Sequence, residues 1–460
     1  MILVCILIAL FAVVGVRMRA PWHSAAFLVA AYSAISLIFL AATVRLGIGE
    51  RVLLPWFVAA VSQGEYSAAL TFVLIALIAL AASWLAPAAV RPVHVMRPVR
   101  AAVFSSPVVP IILSSLTVGL IIHAASLNYS LFWRTSIYLQ QNNPYEMGVT
   151  LLPGVVFHHL MPITLIVCGA LFLLYFSTGK LALSIWTAVI FSYCWIYQFS
   201  AHSRWAAAAL IFSAGAHYLF RGRNRGAFLL LFVPLGMVAL VHARIGRISG
   251  EHGLSTVFST WKDFDVTLLP EYVLGILYSI LQGIFSVAAS FSVSEGIEYP
   301  TSYRVLSFSP FPSFIDGFDK IHEQYEIRVN STQPLSAWVE AANFGAVYFI
   351  LLAGLVFFAL LVNARLCKAS REPTAAILSL IILALIMFMA AYEVRNVLRF
   401  LLLISAVHLV VFWRNGVQDR LSRMKRVRGR PHRPNSGPRT PLATGRSRGN
   451  VTAYHGKTGD

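Results

Sequence analysis

Arginine side chains recur beside apolar segments in the second half of the chain. A guanidinium is a planar, permanently charged fork that matches two oxygens of a phosphate. Several of them facing one cavity would bind a polyanion such as a pyrophosphate. For each one alone, a snorkelling side chain or a local ion pair is the alternative explanation. The candidate anion-binding residues are Arg204, Arg244, Arg247, Arg304, Arg395 and Arg399.

One carboxylate and a few histidines could move protons. Glu340, in the run WVEAANFG, precedes an apolar segment and is predicted to act as a general base or a sugar-hydroxyl ligand. A carboxylate is also stabilised by the dipole at a helix start, so capping is the alternative. His252, in GEHG, is the second candidate base. His158 and His159 lie in an apolar segment, which favours either function or a helix-to-helix hydrogen bond.

The elements that must position these residues are membrane helices. The chain has 460 residues, of which 58% are apolar and 12% charged, against about 25% charged in soluble proteins. Many segments reach the roughly 20 apolar residues that cross a bilayer, and backbone groups in lipid require helices. The sequence predicts an all-α polytopic membrane protein with about eleven transmembrane helices. They cover about residues 1–16, 25–44, 67–86, 108–127, 154–177, 181–200, 205–220, 226–243, 342–362, 374–391 and 397–413.

The positions of Lys and Arg predict the orientation. With the N-terminus outside, the short basic loops and the C-terminus fall on the cytoplasmic side. The segment 52–66 is expected to be interfacial, and the large loop 244–341 to be external. If residues 271–291 crossed the membrane once, the basic loop 363–373 would lie outside. That apolar stretch is therefore predicted to be a re-entrant or surface helix.

The chain divides into a transmembrane domain, residues 1–413, and a basic tail, residues 414–460. The tail carries +10 of the chain's net charge of +18, and its Pro, Gly, Arg and Ser content predicts disorder. A basic cytoplasmic tail near anionic lipid explains this charge better than nucleic-acid binding does.

Several chemistries lack a signature in this sequence. The spacing of Cys5, Cys168, Cys194 and Cys367 suggests neither a disulfide framework nor a metal site. The sequence contains no Walker, GxGxxG, HExxH or GxSxG motif. Aromatic residues such as Tyr299 and Tyr303 crowd the external loops, where rings stack on sugars or form an interfacial belt.

The order of these features resembles the bacterial oligosaccharide repeat-unit polymerases (Wzy type) that build O-antigen and capsule. Ser203 and Arg204 open a middle span, and Arg244 and Arg247 end the next one. A long loop with Tyr-Pro and Ser-Pro follows, and then a Glu-x-x-Asn-x-Gly element formed by Glu340, Asn343 and Gly345. The resemblance covers roughly residues 130 to 400. One departure is the single large loop, since the family is described with two comparable ones.

This resemblance implies a GT-C-like glycosyltransferase that needs neither metal nor nucleotide cofactor. It would act on undecaprenyl-pyrophosphate-linked oligosaccharides at the outer face of the cytoplasmic membrane. A flippase and a chain-length regulator of the same pathway would be its partners, beside membrane lipids. The arginines would hold the pyrophosphates, and Glu340 would act on the acceptor hydroxyl. Tyr299, Tyr303 and Asn343 would contact sugar.

Other functions stay open at this point. An O-antigen ligase, which moves the finished chain onto lipid A, would favour His252 over Glu340 as the base. A flippase or other transporter of lipid-linked oligosaccharide would favour internal repeats and charges deep within spans. A non-catalytic assembly partner is a further alternative.

Overall fold

Runs of Ala, Leu, Ile and Val with few charges form long helices throughout the computed structural model of the chain. Among the residues that the structure describes, seven helices are long and apolar enough to cross a membrane, and a bent pair makes an eighth if it counts as one span. The protein is therefore an all-α multi-pass membrane protein. The other predicted spans coincide with further helices near residues 2–19, 204–219, 373–391 and 394–403.

The structure describes most of the chain before the tail. It covers residues 2–48, 53, 55–86, 108–137, 140–219, 225–246, 251–262, 265–310, 318–330, 333–369, 373–403, 405–406 and 409–410. The predicted basic tail and Arg247 lie outside these residues.

Nine helices lie in the first half of the described chain. They are α1 (Ile2–Arg19), α2 (Ala25–Arg45), α3 (Pro55–Leu85), α4 (Val108–Ser126), α5 (Tyr129–Trp133), α6 (Leu152–Ser177), α7 (Leu181–Ser200), α8 (Arg204–Leu219) and α9 (Arg225–Gly246).

The second half alternates short helices with the last long ones. These are α10 (Thr256–Lys262), α11 (Leu269–Ile280), α12 (Gln282–Val293), α13 (Thr301–Ser307), α14 (Phe318–Tyr325), α15 (Ala337–Phe344), α16 (Ala346–Ala369), α17 (Pro373–Ala391) and α18 (residues 394–403). A two-stranded antiparallel ribbon, β1 (Arg328–Asn330) and β2 (Gln333–Pro334), lies between α14 and α15.

The helices form two groups, each around its own apolar core. The first group contains α1, α2, α3, α12, α15, α16 and α17, and the second contains α4, α6, α7, α8 and α9. Helix α11 packs on α9 of the second group and continues into α12 of the first. The segment predicted to be an external loop therefore joins the two groups.

Helix α3 corrects the sequence-based boundary. The segment 52–66 was expected to be interfacial and separate from a span beginning near residue 67, but α3 runs unbroken over 31 residues, about 46 Å. Gly64 allows the close approach of α12, because a Cβ at this position would overlap the carbonyl of Ala288. Glu65 is nearly buried and pairs with Arg45 at 3.4 Å. The polar residues that resemble a helix break in the sequence therefore make tertiary contacts within one continuous helix.

The apolar stretch at residues 271–291 is bent. Helices α11 and α12 meet at Leu281 with an angle of 67°. The bend is as expected for a broken or re-entrant segment rather than one straight crossing helix.

Backbone contacts join three of the predicted external loops. Thr135 and His252 form an antiparallel backbone bridge with N–H···O distances of 2.8 and 2.7 Å. The backbone N–H of Ala337 donates to the carbonyl of Tyr392 over 2.8 Å. These contacts bring the predicted loops at 128–153, 244–341 and 392–396 together.

Candidate active site

The start of α15 is fixed by its neighbours before any functional side chain is considered. Ser336 caps the helix by accepting from the backbone N–H of Trp338. The Ser336 N–H donates to Ser290 Oγ at 3.1 Å, and its hydroxyl donates to the carbonyl of Met389 at 3.2 Å. Helix α15 is thereby held between α12 and the end of α17.

Glu340, one turn along α15, has a buried carboxylate with two donors. Its residue exposure is 2%. Oε2 accepts from the backbone N–H of Val394 at 2.7 Å, and Oε1 accepts from the Tyr303 hydroxyl at 3.2 Å. Val394 begins α18, so the carboxylate caps that helix and meets the positive end of its dipole. Glu340 was predicted to cap a helix start, and it does so at α18, a helix distant in sequence.

An aromatic shell surrounds this carboxylate. Tyr303 and Tyr299 stack with ring centroids 5.2 Å apart, and Phe344 meets both rings edge-on. Burial raises the pKa of both tyrosines well above the usual range, and the charge of Glu340 raises it further. Tyr303 therefore stays protonated and acts as a donor to Glu340.

A second buried carboxylate, Glu393, lies nearby and was missed by the sequence reasoning. Burial raises the pKa of Glu340, although its two hydrogen bonds oppose the rise. Burial also raises the pKa of Glu393, and the nearby Glu340 charge adds to it. Because two buried like charges repel, the pair is expected to retain a proton close to neutral pH. This is the protonation behaviour that suits a general base.

Glu393 could have been suspected from its position. It sits in YEVRN, a short connector between two apolar segments that leaves little room for a solvated carboxylate.

Asn343 lies three residues after Glu340 on α15, so both side chains lie on the same face of the helix. Its Nδ2 is buried and has no hydrogen-bond partner among the described residues. Gly345 follows with φ +115°, a left-handed conformation that glycine adopts without strain, and separates α15 from α16. The Glu-x-x-Asn-x-Gly element thus combines a capped carboxylate, a buried amide donor and a chain turn.

Two of the candidate arginines donate to carbonyls at the ends of short helices. Arg304 donates to the carbonyls of Phe344, at the end of α15, and Tyr299, over 3.2 and 2.7 Å. Arg395 donates to the carbonyl of Leu306 near the end of α13, and its guanidinium lies 4.1 Å above the Phe318 ring. Positive charge is favourable at a helix C-terminus, so helix capping accounts for part of their role.

Arg204 and Arg244 lie along one face of α11. Arg204 Nη1 is 3.4 Å from Gln282 Oε1 and 3.5 Å from the carbonyl of Ser279. A Cβ on Gly275 would lie 2.6 Å from Arg244 Nε, so Arg244 packs directly on that glycine. Gly275 and Ser279 are one helical turn apart, which brings the two arginines to neighbouring positions beside the bend.

The candidate site residues therefore fall into separate sets of contacts. Around Glu340 lie Tyr299, Tyr303, Asn343, Arg304 and Arg395, with Arg399 one turn beyond Arg395 on α18. Arg204 and Arg244 lie beside the bend of α11, while Arg247 is outside the described residues.

His252 belongs to a histidine group at the end of α9. Its ring centroid lies 5.5 Å from that of His202, which in turn is 4.8 Å from His242. His202 Nε2 is 3.2 Å from Thr256 Oγ1. Burial lowers the pKa of His252, so its neutral form is favoured.

His158, predicted to have either a function or a helix-to-helix hydrogen bond, makes such a bond. His158 Nε2 is 3.1 Å from the carbonyl of Asn142, which can only accept, so this nitrogen carries the proton. In the neutral ring Nδ1 then accepts from His123 Nε2 at 3.1 Å, and His123 Nδ1 accepts from the Tyr193 hydroxyl at 2.7 Å. One tautomer assignment satisfies the whole chain with both rings neutral. His159 is exposed.

Among the described residues, one group has the donor set for a metal. One ligand atom each from His322, Glu326 and Glu393 lies within 4.8 Å of the others. The predicted absence of a metal stays a prediction. Comparisons of the chain with known protein families, characterised proteins and solved structures find no match.

Proposed function

We propose that the protein polymerises oligosaccharide repeat units carried on undecaprenyl pyrophosphate, building O-antigen, capsule or exopolysaccharide. In this proposal it lies in the bacterial cytoplasmic membrane, with the N-terminus outside and the C-terminus in the cytoplasm. About eleven helices in a GT-C-like arrangement would carry the site at the outer face.

The observation that carries the proposal is the pairing of Glu340 with Asn343 on one face of α15. A buried carboxylate whose pKa is raised can take a proton near neutral pH. The Asn343 Nδ2 donor, with no protein partner among the described residues, would suit a sugar hydroxyl or ring oxygen. Tyr299 and Tyr303 supply aromatic surface beside it.

The proposed reaction joins two lipid-linked oligosaccharides. Glu340 takes the proton from a hydroxyl of the acceptor sugar, and that oxygen attacks the anomeric carbon of the donor chain. The bond from this carbon to the pyrophosphate oxygen breaks, and lipid pyrophosphate leaves with the electron pair. A base opposite the leaving group corresponds to inversion at this carbon.

The arginines are proposed to stabilise the pyrophosphates. Charge develops on the leaving oxygen in the transition state, and donors fixed before the reaction stabilise it without reorganisation. The hydrogen bonds of Arg304 and Arg395 to helix carbonyls fix these guanidiniums in the manner this role requires. Arg399, one turn beyond Arg395, would join this first set, while Arg204 and Arg244, with Arg247, would hold a second pyrophosphate.

The test is a polysaccharide gel from the host strain lacking this gene. Loss of the long-chain ladder with a single repeat unit retained supports the polymerase. An unchanged ladder would contradict it. Complementation with Arg244→Ala or Arg247→Ala examines the pyrophosphate assignment, and a normal ladder from both would remove that assignment.

A ligase is the second candidate, favoured by the buried histidine group of His202, His242 and His252. A ligase deletion would leave lipid-linked polymer accumulating and abolish its attachment to the surface. In that case His252→Ala should reproduce the defect, and Glu340→Gln should not.

A further inference from the structure

The side chains of His322, Glu326 and Glu393 could bind an ion, and helix geometry brings the first two together. His322 lies on α14, and the backbone N–H of Glu326 donates to its carbonyl at 2.8 Å, continuing the helical turn. Residues four apart on a helix project to the same side. Both side chains therefore face the connector that carries Glu393.

The distances suit a shared ion better than direct hydrogen bonds. His322 Nε2 lies 3.7 Å from Glu393 Oε2, beyond the usual limit of a hydrogen bond. Two ligands at ~2.1 Å from a tetrahedral ion are about 3.4 Å apart. The Asn396 amide is also distant from Glu393, at 3.5 Å. Among the described residues, the 5%-exposed carboxylate of Glu393 thus has its contacts with His322 and Asn396 at long range.

Neighbouring side chains orient the three donors. The His322 ring stacks on Phe318 at a centroid distance of 5.1 Å and lies parallel to Tyr303 at 6.4 Å. Arg328 holds both oxygens of Glu326, at 2.9 and 3.0 Å. Supporting contacts of this kind typically orient metal ligands.

We propose that His322, Glu326 and Glu393 form a binding site for one first-row divalent cation. One imidazole and two carboxylates suit Zn²⁺ and Mn²⁺. The ion would bring positive charge to a carboxylate buried beside Glu340 and fasten α14 to the start of α18. This role is structural and does not depend on the proposed glycosyl transfer.

The test is direct binding to the full-length protein in detergent, purified without a polyhistidine tag and treated with a chelator. Titration calorimetry with Zn²⁺, repeated with Mn²⁺, should give one site per chain and an increased melting temperature. Glu326→Gln, at a partly exposed residue, should weaken binding by at least ~100-fold. Glu393→Gln should weaken binding to the same extent. Glu295→Gln, at an exposed residue between α12 and α13, should bind the ion as the wild type does.

Two results would overturn the site. One is wild-type protein that binds neither ion, and the other is binding that survives unchanged in both Glu326→Gln and Glu393→Gln. Because binding is measured without substrate, failure here leaves the polymerase proposal standing. Failure of the polymerase assay likewise leaves the cation site standing.

Discussion

The two helix groups bury polar side chains in contrasting ways. In the second group, Tyr193, His123 and His158 form a chain that ends on a backbone carbonyl and is satisfied with neutral rings. In the first group, Glu340 and Glu393 are carboxylates buried near each other. A satisfied neutral chain holds helices together and leaves no donor over. The two repelling carboxylates leave a charge for a ligand to neutralise, and the Asn343 amide beside them, which has no partner among the described residues, leaves a hydrogen-bond donor for it.

The largest expected effect of a mutation is at Glu340. Glu340→Gln keeps the size and an acceptor oxygen for the Val394 N–H, but it removes the base. We expect polymerisation to fall by at least ~100-fold, equivalent to about 2.7 kcal/mol, with the melting temperature little changed. The measurement is transfer between lipid-linked repeat units by purified protein, with Glu295→Gln as the control. Full activity in a well-folded Glu340→Gln protein would place the chemistry elsewhere.

The packing of the first group is tested at Gly64. Gly64→Ala places a methyl group against the backbone carbonyl of Ala288, which cannot rotate away, so α3 and α12 must separate. We expect a loss of about 1–3 kcal/mol in the free energy of unfolding, read as a lower melting temperature in detergent.

The matched control for Gly64 is Gly354 on α16, where an added Cβ meets nothing within 4 Å. Gly354→Ala should leave the melting temperature unchanged or slightly raised. Equal melting temperatures for the two variants would mean that α3 and α12 do not pack as described.

Much of the fold could be predicted because hydropathy and length act locally. The long helices were expected from their apolar runs. The charge of loops elsewhere in the chain predicted a re-entrant or surface helix at residues 271–291, but it gave no indication of the bend at Leu281. The continuity of α3 could not be predicted, since Gln63, Gly64 and Glu65 look like a break in isolation. Only the packing on α12 and the pairing with Arg45 explain them.

The candidate site was predictable in part for a similar reason. Glu340 and Asn343 stand out because they precede a long apolar run. Glu393 and His322 are separated by 70 positions in the sequence, and no local spacing indicates that they meet. Likewise, the arginines were identified by charge alone. Their contacts with the ends of α11, α13 and α15 depend on helices that the sequence did not predict individually.

The neutral histidine chain of the second group should respond to mutation through stability and not through activity. His158→Phe leaves the His123 Nε2–H and the carbonyl of Asn142 without their partner. We expect a cost of about 1–3 kcal/mol, measured by thermal unfolding. The exposed neighbour provides the control, since His159→Phe should be close to neutral. An activity loss in folded His158→Phe protein as large as that of Glu340→Gln would erase the distinction between the groups.

The last prediction is a pH dependence that has opposite signs for stability and activity. Burial raises the pKa of Glu340 above the usual value of about 4.3. Between the two pKa values the folded state holds the proton more tightly than the unfolded state does. The contribution of Glu340 to stability is therefore full below the unfolded pKa and is lost as pH rises through the folded one. Activity should rise over the same interval, because a base must be deprotonated.

Melting temperatures and transfer rates, measured between pH 4.5 and 8 in the presence of a chelator, test this prediction. In Glu340→Gln the melting temperature should depend less on pH than it does in the wild type. A wild-type stability that rises across this interval by more than that of Glu340→Gln would mean that the pKa is lowered, and the carboxylate would then be a permanently charged helix cap.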